Sequence, residues 1–138
     1  MNERTYLCFD HGEKRIGVAV GQSVTSTATA LEIIKVTRGK PDWNRISAIL
    51  RQWKPDELII GHPLTMDGDK QPATRAAEKF AQQLKGRYGL PVNLADERLS
   101  SHEAQQLLKD SYNVDPVAAQ LILESWLAAT KIDENKVN

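Results

Sequence analysis

Acidic residues at three widely separated places in the sequence could support metal-dependent chemistry. Asp10 and the pair Asp96-Glu97 each follow a short apolar run, and Asp115 precedes a helical pattern that begins at Pro116. In an open sheet, residues at the carboxyl ends of the strands meet at one edge. Magnesium prefers oxygen ligands and keeps several waters, which leaves room for substrate phosphates. The pattern therefore indicates a Mg²⁺ site, at which one or two ions could support phosphodiester cleavage.

Each of these acids also has a purely structural interpretation. Asp10 could simply open a turn, as Asp often does. Asp115 stands directly before a proline, which is a routine helix start with Asp as the N-cap. Capping and metal binding are compatible if one oxygen of Asp115 serves each role. Glu97 could pair with Arg98 or remain solvated, and Asp96 is the weaker ligand candidate because adjacent residues rarely face the same site.

Basic side chains near the same predicted edge are candidates for contacts with a nucleic-acid backbone. Lys14 and Arg15 occupy the tip of a predicted hairpin, Lys70 lies in the loop after the fourth predicted strand, and Arg98 follows the acidic pair. Lys and Arg on turns are also commonly just solvated, so residue type alone does not decide between nucleic-acid contact and simple solvation. Gly12 lies beside Asp10, where the lack of a side chain lets a ligand come close.

Other catalytic patterns are absent from the sequence. His11, His62 and His102 lack metal-ligand spacing with one another or with Cys8, which argues against zinc. The chain has no nucleophile elbow, no phosphate loop and no dinucleotide-binding glycine pattern. His62 precedes a proline at a predicted strand end, where it could position a water or a phosphate.

Length and charge limit the class of protein. The chain has 138 residues, which predicts one domain over residues 1–138. Its 18 basic and 18 acidic residues give a formal net charge of zero. This excludes a strongly basic nucleic-acid binder but allows an enzyme that uses a local cluster. Cys8, the single cysteine, lies in an apolar run and is expected to be a buried thiol. No apolar run approaches the ~18 residues of a membrane helix, so we expect no membrane contact and a cytoplasmic protein.

The predicted elements explain how the acids could meet. Three successive strands, Tyr6–Phe9, Ile16–Val20 and Gln22–Val36, suit an antiparallel meander. Two later strands, Glu57–Ile60 and Val92–Ala95, each follow a helix and suit parallel pairing. Helices are predicted from Asp42 to Trp53, from Pro72 with stops at Gly86 and Gly89, from Ser100 to Lys109, and from Pro116, with a fraying tail at Lys131–Asn138. The order predicts an α/β fold with a mixed sheet and helices on both faces.

Four sequence blocks strongly resemble, in order and spacing, the YqgF family of bacterial RNase H-like proteins, also called RuvX. The blocks are Phe9-Asp10-x-Gly12-x-Lys14-x-Ile16-Gly17-Val18-Ala19, Ile60-Gly61-x-Pro63-Leu64-x-Met66-Asp67-Gly68, Asp96-Glu97-Arg98-Leu99-Ser100 and Val114-Asp115-x-x-Ala118-Ala119-x-x-Ile122-Leu123. The resemblance covers nearly the whole chain. It implies a five-stranded mixed sheet and an acidic triad, Asp10, Glu97 and Asp115, that binds Mg²⁺ or Mn²⁺. It also implies that Gly12, Lys14, Gly61, Pro63, Asp67, Gly68 and Arg98 shape the site or touch the nucleic acid.

The resemblance implies a metal-dependent nuclease that acts on structured RNA, in particular at the 5′ end of precursor 16S rRNA. Four-way DNA junctions are the alternative substrate, and symmetric resolution of a junction would require a dimer. A catalytically inactive RNA-binding module is a third interpretation. We expect a monomer or a weak homodimer. Two departures from the family pattern stand out: His62 replaces a usually apolar residue, and the segment before Asp115 is shorter than the Gly- and Lys-rich loop of many relatives.

Overall fold

One six-stranded sheet forms the centre of the molecule. The structure is a computed structural model that describes residues 3–97 and 116–137. Its elements are β1 (Thr5–His11), β2 (Arg15–Gln22), β3 (Thr27–Thr37), β4 (Lys40–Pro41), α1 (Trp43–Trp53), β5 (Glu57–His62), α2 (Pro72–Tyr88), β6 (Val92–Asp96) and α3 (Pro116–Val137). The strand order is β4-β3-β2-β1-β5-β6, with β1 to β4 antiparallel and β5 and β6 parallel to β1. The predicted α/β class and mixed sheet are confirmed.

The predicted strand number of five is wrong, because the short strand β4 makes a sixth. Arg38 and Gly39 have φ angles of 51° and 74°, which form a two-residue turn of the kind that closes hairpins. Val36 and Thr37 then pair with Pro41 and Lys40. The sequence around Pro41 predicts only a break, because a proline in so short a segment carries no strand signal.

The two faces of the sheet are covered by different helices. Side chains alternate along a strand, so Leu7 and Phe9 of β1 belong to one buried cluster, and Tyr6 and Cys8 belong to the other. The first cluster also contains buried residues of α1 and α2, and the second contains those of α3. Both faces of β1 are therefore buried against helices, which explains why its sequence is a continuous apolar run rather than an alternating one.

Small residues let α3 lie close to its face of the sheet. A Cβ added at Gly21 would be 2.8 Å from Cδ2 of Leu123, and one added at Gly61 would be 3.0 Å from Cδ1 of Ile122. Further along α3, the ring of Trp126 contacts that of Tyr6 at a centroid distance of 5.1 Å. Because Tyr6 is near the start of β1, whereas Gly61 is near the end of β5, α3 begins at the edge of the sheet where β1 and β5 end.

Helix ends mostly follow the sequence signals. Asp42 caps α1 by accepting a hydrogen bond from the backbone N of Arg45 at 3.2 Å. Pro72 is the first residue of α2, which ends at Gly89 with a φ of 67°. Gly86 does not end that helix, contrary to the prediction. Helix α3 runs on to Val137, so fraying from Lys131 stays a prediction, and the helix predicted from Ser100 to Lys109 lies outside the described residues.

Candidate active site

Asp10 lies at the end of β1 with only 8% of its surface exposed. Strand alternation puts its side chain on the same face as Tyr6 and Cys8, towards α3. Its partner on β2 is Gly17. On the other side Phe9 pairs with Ile60, so the next residue of β5, Gly61, lies beside Asp10. Asp10 is thus flanked by a glycine on each neighbouring strand, and its carboxyl group has room for a partner.

The partner is Glu97, which follows β6. Gly61 pairs with Ala95, whose side chain faces α3, and Glu97 is two residues further along the same face. A Cβ added at Gly61 would be 3.1 Å from Oε1 of Glu97. The carboxyl groups of Glu97 and Asp10 share a hydrogen bond. Two of the three predicted acids therefore meet at the carboxyl edge of the sheet, across the space that Gly61 leaves.

Burial and negative charge around this pair raise the pKa values of Glu97 and of the nearby Cys8. Burial raises the pKa of Glu97, the charge of Asp96 raises it further, and the hydrogen bond with Asp10 and the charge of His62 only partly oppose this. Cys8 is fully buried on the same face, and burial together with the charges of Asp10 and Glu97 raises the pKa of its thiol well above the usual value. A cation bound between the carboxyl groups would relieve this cost.

The donor chemistry fits a hard divalent cation, with two carboxyl groups and no soft ligand in the pair. Within residues 3–97 and 116–137, no three His, Cys, Asp or Glu side chains form a group that could hold a metal ion. The third predicted ligand, Asp115, lies outside the described residues. Helix α3 begins at the next residue, Pro116, at the same edge of the sheet as the carboxyl pair.

The predicted basic contacts have different surroundings. Lys14 is exposed and Arg15 half-buried at the tip of the β1–β2 hairpin, which the backbone N of Gly12 closes by donating to the carbonyl of Arg15 at 2.9 Å. Lys70 is ion-paired with Glu78, at 2.9 Å from Nζ to Oε2. Arg98 lies outside the described residues.

The loop between β5 and α2 is held by its own hydrogen bonds. The buried hydroxyl of Thr74 donates to the carbonyl of Pro63 and accepts from the backbone N of Gln71 at 3.0 Å. The exposed tip contains Asp67 and Gly68, and the backbone N of Gly68 donates to the carbonyl of Thr65 at 2.9 Å. Gly68 has a φ of 89°, which favours glycine at this turn. The loop, which follows His62 at the end of β5, is therefore fixed by its own contacts.

Glu78 is a residue of this region that the sequence analysis missed. Its Oε2 lies 2.9 Å from Nε2 of His62 and 2.9 Å from Nζ of Lys70, so it joins the end of β5 to the loop. The hydrogen bond with Lys70, and secondarily the one with His62, lowers the pKa of Glu78. The available signal was its position one helical turn after Thr74, on the border of the buried stripe of α2. The polar residue His62, unusual for the family pattern, thus has an acidic partner.

His11 takes no part in the carboxyl pair. It follows Asp10 and faces the opposite side of the sheet, where its ring lies 5.0 Å from that of Phe80. Burial lowers the pKa of this imidazole. The side chain lines a cavity of about 620 Å³ between the first hairpin and α2.

A mixed sheet in this strand order, with helices on both faces and carboxyl groups at its carboxyl edge, defines an RNase H-like protein. The profile of the RuvX family, described as Holliday junction resolvase, matches residues 4–129. The chain therefore belongs to the RuvX family.

Relatives from Pectobacterium atrosepticum and Saccharophagus degradans are 47% and 48% identical to the chain, covering 94% and 91% of it and 99% and 94% of their own lengths. Both carry the provisional name pre-16S rRNA nuclease. Among solved structures, Thermus thermophilus RuvC in complex with a Holliday junction substrate is similar with a TM-score of 0.57, 13% identity and 96% coverage of each chain. At that identity the likeness concerns the fold.

Among the described helices, none combines the length and the apolar character needed to cross a membrane.

Proposed function

We propose that this chain is a divalent-metal-dependent nuclease that hydrolyses phosphodiester bonds at the 5′ end of precursor 16S rRNA. The observation that carries the proposal is the contact between the carboxyl groups of Asp10, in β1, and Glu97, which follows β6. The two groups meet at the edge of the sheet where the parallel strands end. Family membership and the name of the relatives at 47–48% identity support the reaction and the RNA substrate.

Asp10, Glu97 and Asp115 would hold Mg²⁺ or Mn²⁺. The bound ion would activate a water and offset the charge on the phosphate. Gly17 and Gly61 leave the space in which the two described carboxyl groups meet. Burial raises the pKa of Glu97 in the protein without metal, and a cation bound beside its carboxyl group would lower that pKa again.

Positive charges would hold the nucleic acid beside this pair. Lys14 and Arg15 lie at the hairpin tip, four and five residues after Asp10 in the chain, and Arg98 follows Glu97 in sequence. Lys70 would contribute only by exchanging its ion pair with Glu78 for a phosphate. Residues of this kind position the backbone rather than read sequence. An enzyme of rRNA maturation would act in the cytoplasm, where its substrate is made.

Four-way DNA junctions are the second candidate substrate, because the fold resembles that of RuvC bound to a Holliday junction. Resolution of a junction needs two active sites and hence a dimer, whereas trimming of an RNA end needs one. The RNA assignment is preferred because the relatives named for rRNA share 47–48% of their residues with this chain, and RuvC shares 13%.

The test is a cleavage assay with a labelled transcript that spans the 5′ end of a precursor 16S rRNA, in parallel with a four-way DNA junction. The wild-type chain should cleave the transcript in Mg²⁺ or Mn²⁺ and not in EDTA. Asp10→Asn and Glu97→Gln should lower the rate at least 100-fold while the melting temperature is kept. Glu13→Gln, which removes an exposed acid of the same hairpin, should remain active. Binding without turnover by the wild-type chain would contradict the proposal and indicate a binding module.

A further inference from the structure

We propose that the β3–β4 hairpin forms a second phosphate-binding surface, along which the RNA strand runs away from the Asp10–Glu97 pair. This surface, called here the basic hairpin surface, consists of Lys35, Arg38 and Lys40. It adjoins Lys14 and Arg15 at the tip of the first hairpin, because the backbone N of Val36 donates to the carbonyl of Lys14 at 3.0 Å. The inference rests on the proposed function and names the path that the substrate of the same site would take.

The position of Lys35 relative to the carboxyl pair follows from the strand register. Asp10 pairs with Gly17, and Gly17 pairs with Ile33, so these three residues form one row across the sheet on the face of α3. Arg15 and Lys35 form the next row on that face. Two strand spacings and two residues of rise put Lys35 roughly 12 Å from Asp10, Cα to Cα. Ile33 between them is 45% exposed, so this part of the face is open to a ligand.

The charge of this region differs from that of the whole chain. Residues 12–15 and 35–42 contain five basic side chains and two acidic ones, Glu13 and Asp42, whereas the chain has a formal net charge of zero. Asp42 is engaged as the N-cap of α1. In the part of the chain that the structure describes, no ion pair involves Lys14, Lys35, Arg38 or Lys40. The local excess of positive charge is what attracts a phosphate backbone.

Two basic residues, Arg15 and Lys35, lie directly opposite each other on β2 and β3. Like charges directly opposite each other on two strands are destabilising. A polyanion bound across both side chains would turn this cost into a favourable interaction. The same two residues lie in the row next to Asp10, so the compensation would occur beside the site of cleavage.

The hairpin is held in one shape before any ligand binds. Arg38 and Gly39 form its turn with positive φ angles, and the backbone N of Asp42 donates to the carbonyl of Lys35 at 3.0 Å. Its three basic residues line a shallow hollow of about 450 Å³ together with Thr37, Pro41 and Asp42. A preformed surface loses less conformational entropy on binding than a flexible basic tail would.

The experiment compares two triple variants in the Asp10→Asn chain, which should bind RNA in Mg²⁺ without cleaving it. Lys35→Gln, Arg38→Asn and Lys40→Gln neutralise the basic hairpin surface, with Asn at the residue of positive φ. The matched control, Arg51→Gln, Lys54→Asn and Lys85→Gln, also removes three charges and one of them at a residue of positive φ. Arg51 and Lys85 lie in the last turns of α1 and α2, which precede the starts of β5 and β6 at the opposite edge of the sheet.

Binding of the labelled precursor transcript is measured by titration at several salt concentrations. Loss of three phosphate contacts should reduce the slope of log affinity against log salt by about 2, which corresponds to roughly 100-fold weaker binding at 0.1 M salt. The control variant should lose much less. Lys35→Arg, Arg38→Lys and Lys40→Arg together should keep the affinity, because the charges remain, and all variants should melt as cooperatively as the parent chain.

Equal losses in the hairpin variant and the control would overturn the inference, since net charge would then explain both. An unchanged slope in the hairpin variant, or an equal loss in the charge-preserving variant, would also overturn it. A loss seen with the four-way DNA junction but not with the transcript would reject RNA as the occupant. Absence of cleavage by the wild-type chain would instead defeat the proposed function and leave this binding result intact.

Discussion

Gly61 separates the two described carboxyl groups, and its replacement by alanine tests whether their contact matters. Gly61 lies within β5 and its φ is not in the left-handed region, so alanine suits the backbone. The new Cβ would lie 3.1 Å from Oε1 of Glu97 and 3.0 Å from Cδ1 of Ile122. Ordinary contacts begin at 3.4 Å, so both neighbours must move by a few tenths of an ångström.

That displacement is small for the fold and large for a metal site. Ligand distances in a metal site are kept to within about 0.2 Å, and a misplacement of 1 Å can cost about 100-fold in rate. If the logarithm of the rate loss is proportional to the displacement, a shift of about 0.3–0.4 Å lowers the cleavage rate roughly 5-fold. Overpacking against Ile122 costs ~1–3 kcal/mol, and the loss of chain entropy in the unfolded state returns ~0.4–1 kcal/mol.

Gly21→Ala is the matched control for Gly61→Ala. Its Cβ would lie 2.8 Å from Cδ2 of Leu123 and 2.9 Å from the carbonyl oxygen of Thr27, also under α3 but at the start of β1. Gly21→Ala should lower the melting temperature at least as much as Gly61→Ala and keep the cleavage rate of the folded protein. The assays are RNA cleavage over a Mg²⁺ titration and the Mg²⁺-induced rise in melting temperature. If Gly61→Ala leaves both at wild-type values, the contact of Glu97 with Asp10 is not needed for function.

The remaining predictions concern charge at and near the same edge. Asp10→Asn should leave the metal-free protein at least as stable as the wild type, because one of two adjacent acids is removed, and should abolish the stabilisation by Mg²⁺; calorimetry with and without Mg²⁺ checks both, and strong destabilisation would mean that Asp10 is structural. The raised pKa of Glu97 means that the folded, metal-free chain holds its proton more tightly than the unfolded chain, so this residue's contribution to stability is present below the ordinary pKa of 4.5 and is lost as pH rises above it. Denaturant titrations over that range should show this loss, and Glu97→Gln should remove it. Glu78→Gln should free the ammonium group of Lys70 and strengthen RNA binding at low salt, an effect absent when Lys70 is also replaced by Gln; an unchanged affinity would argue against a role of Lys70 in binding.

The architecture was predictable because the composition of the strand segments is typical of buried strands. Leu7 and Phe9 alternate with Tyr6 and Cys8, and all four are apolar, which is typical of a strand buried on both faces. The predicted first strand stopped at Phe9, whereas pairing continues to His11 opposite Ile16. The two polar residues at its end remain in the ladder because the neighbouring strand, not their own type, supplies the hydrogen bonds.

The candidate site was predictable only in part. The rule that strand ends converge brings Asp10 and Glu97 to one edge, and their contact agrees with that expectation. The reason why Gly61 lies beneath Glu97 is the register of Gly61 with Ala95, which no local pattern encodes. The partnership of Glu78 with His62 and Lys70 likewise depends on how α2 crosses β5. The position of Glu78 on the border of the buried stripe marks it as partly buried but does not identify its partners. The role of Asp115 stays a prediction.

The rate at which a thiol reagent labels the buried Cys8 can report how often the region beneath α3 opens. Cys8 is the only cysteine, it is fully enclosed beneath α3, and the neighbouring acids disfavour its reactive thiolate. A thiol reagent can therefore label it only when local or global opening exposes the thiol, for example when α3 separates from the sheet, so the labelling rate reports such openings. Divalent cations that bind the carboxyl pair should slow the labelling, which makes this one atom a reporter of site occupancy that needs neither substrate nor turnover.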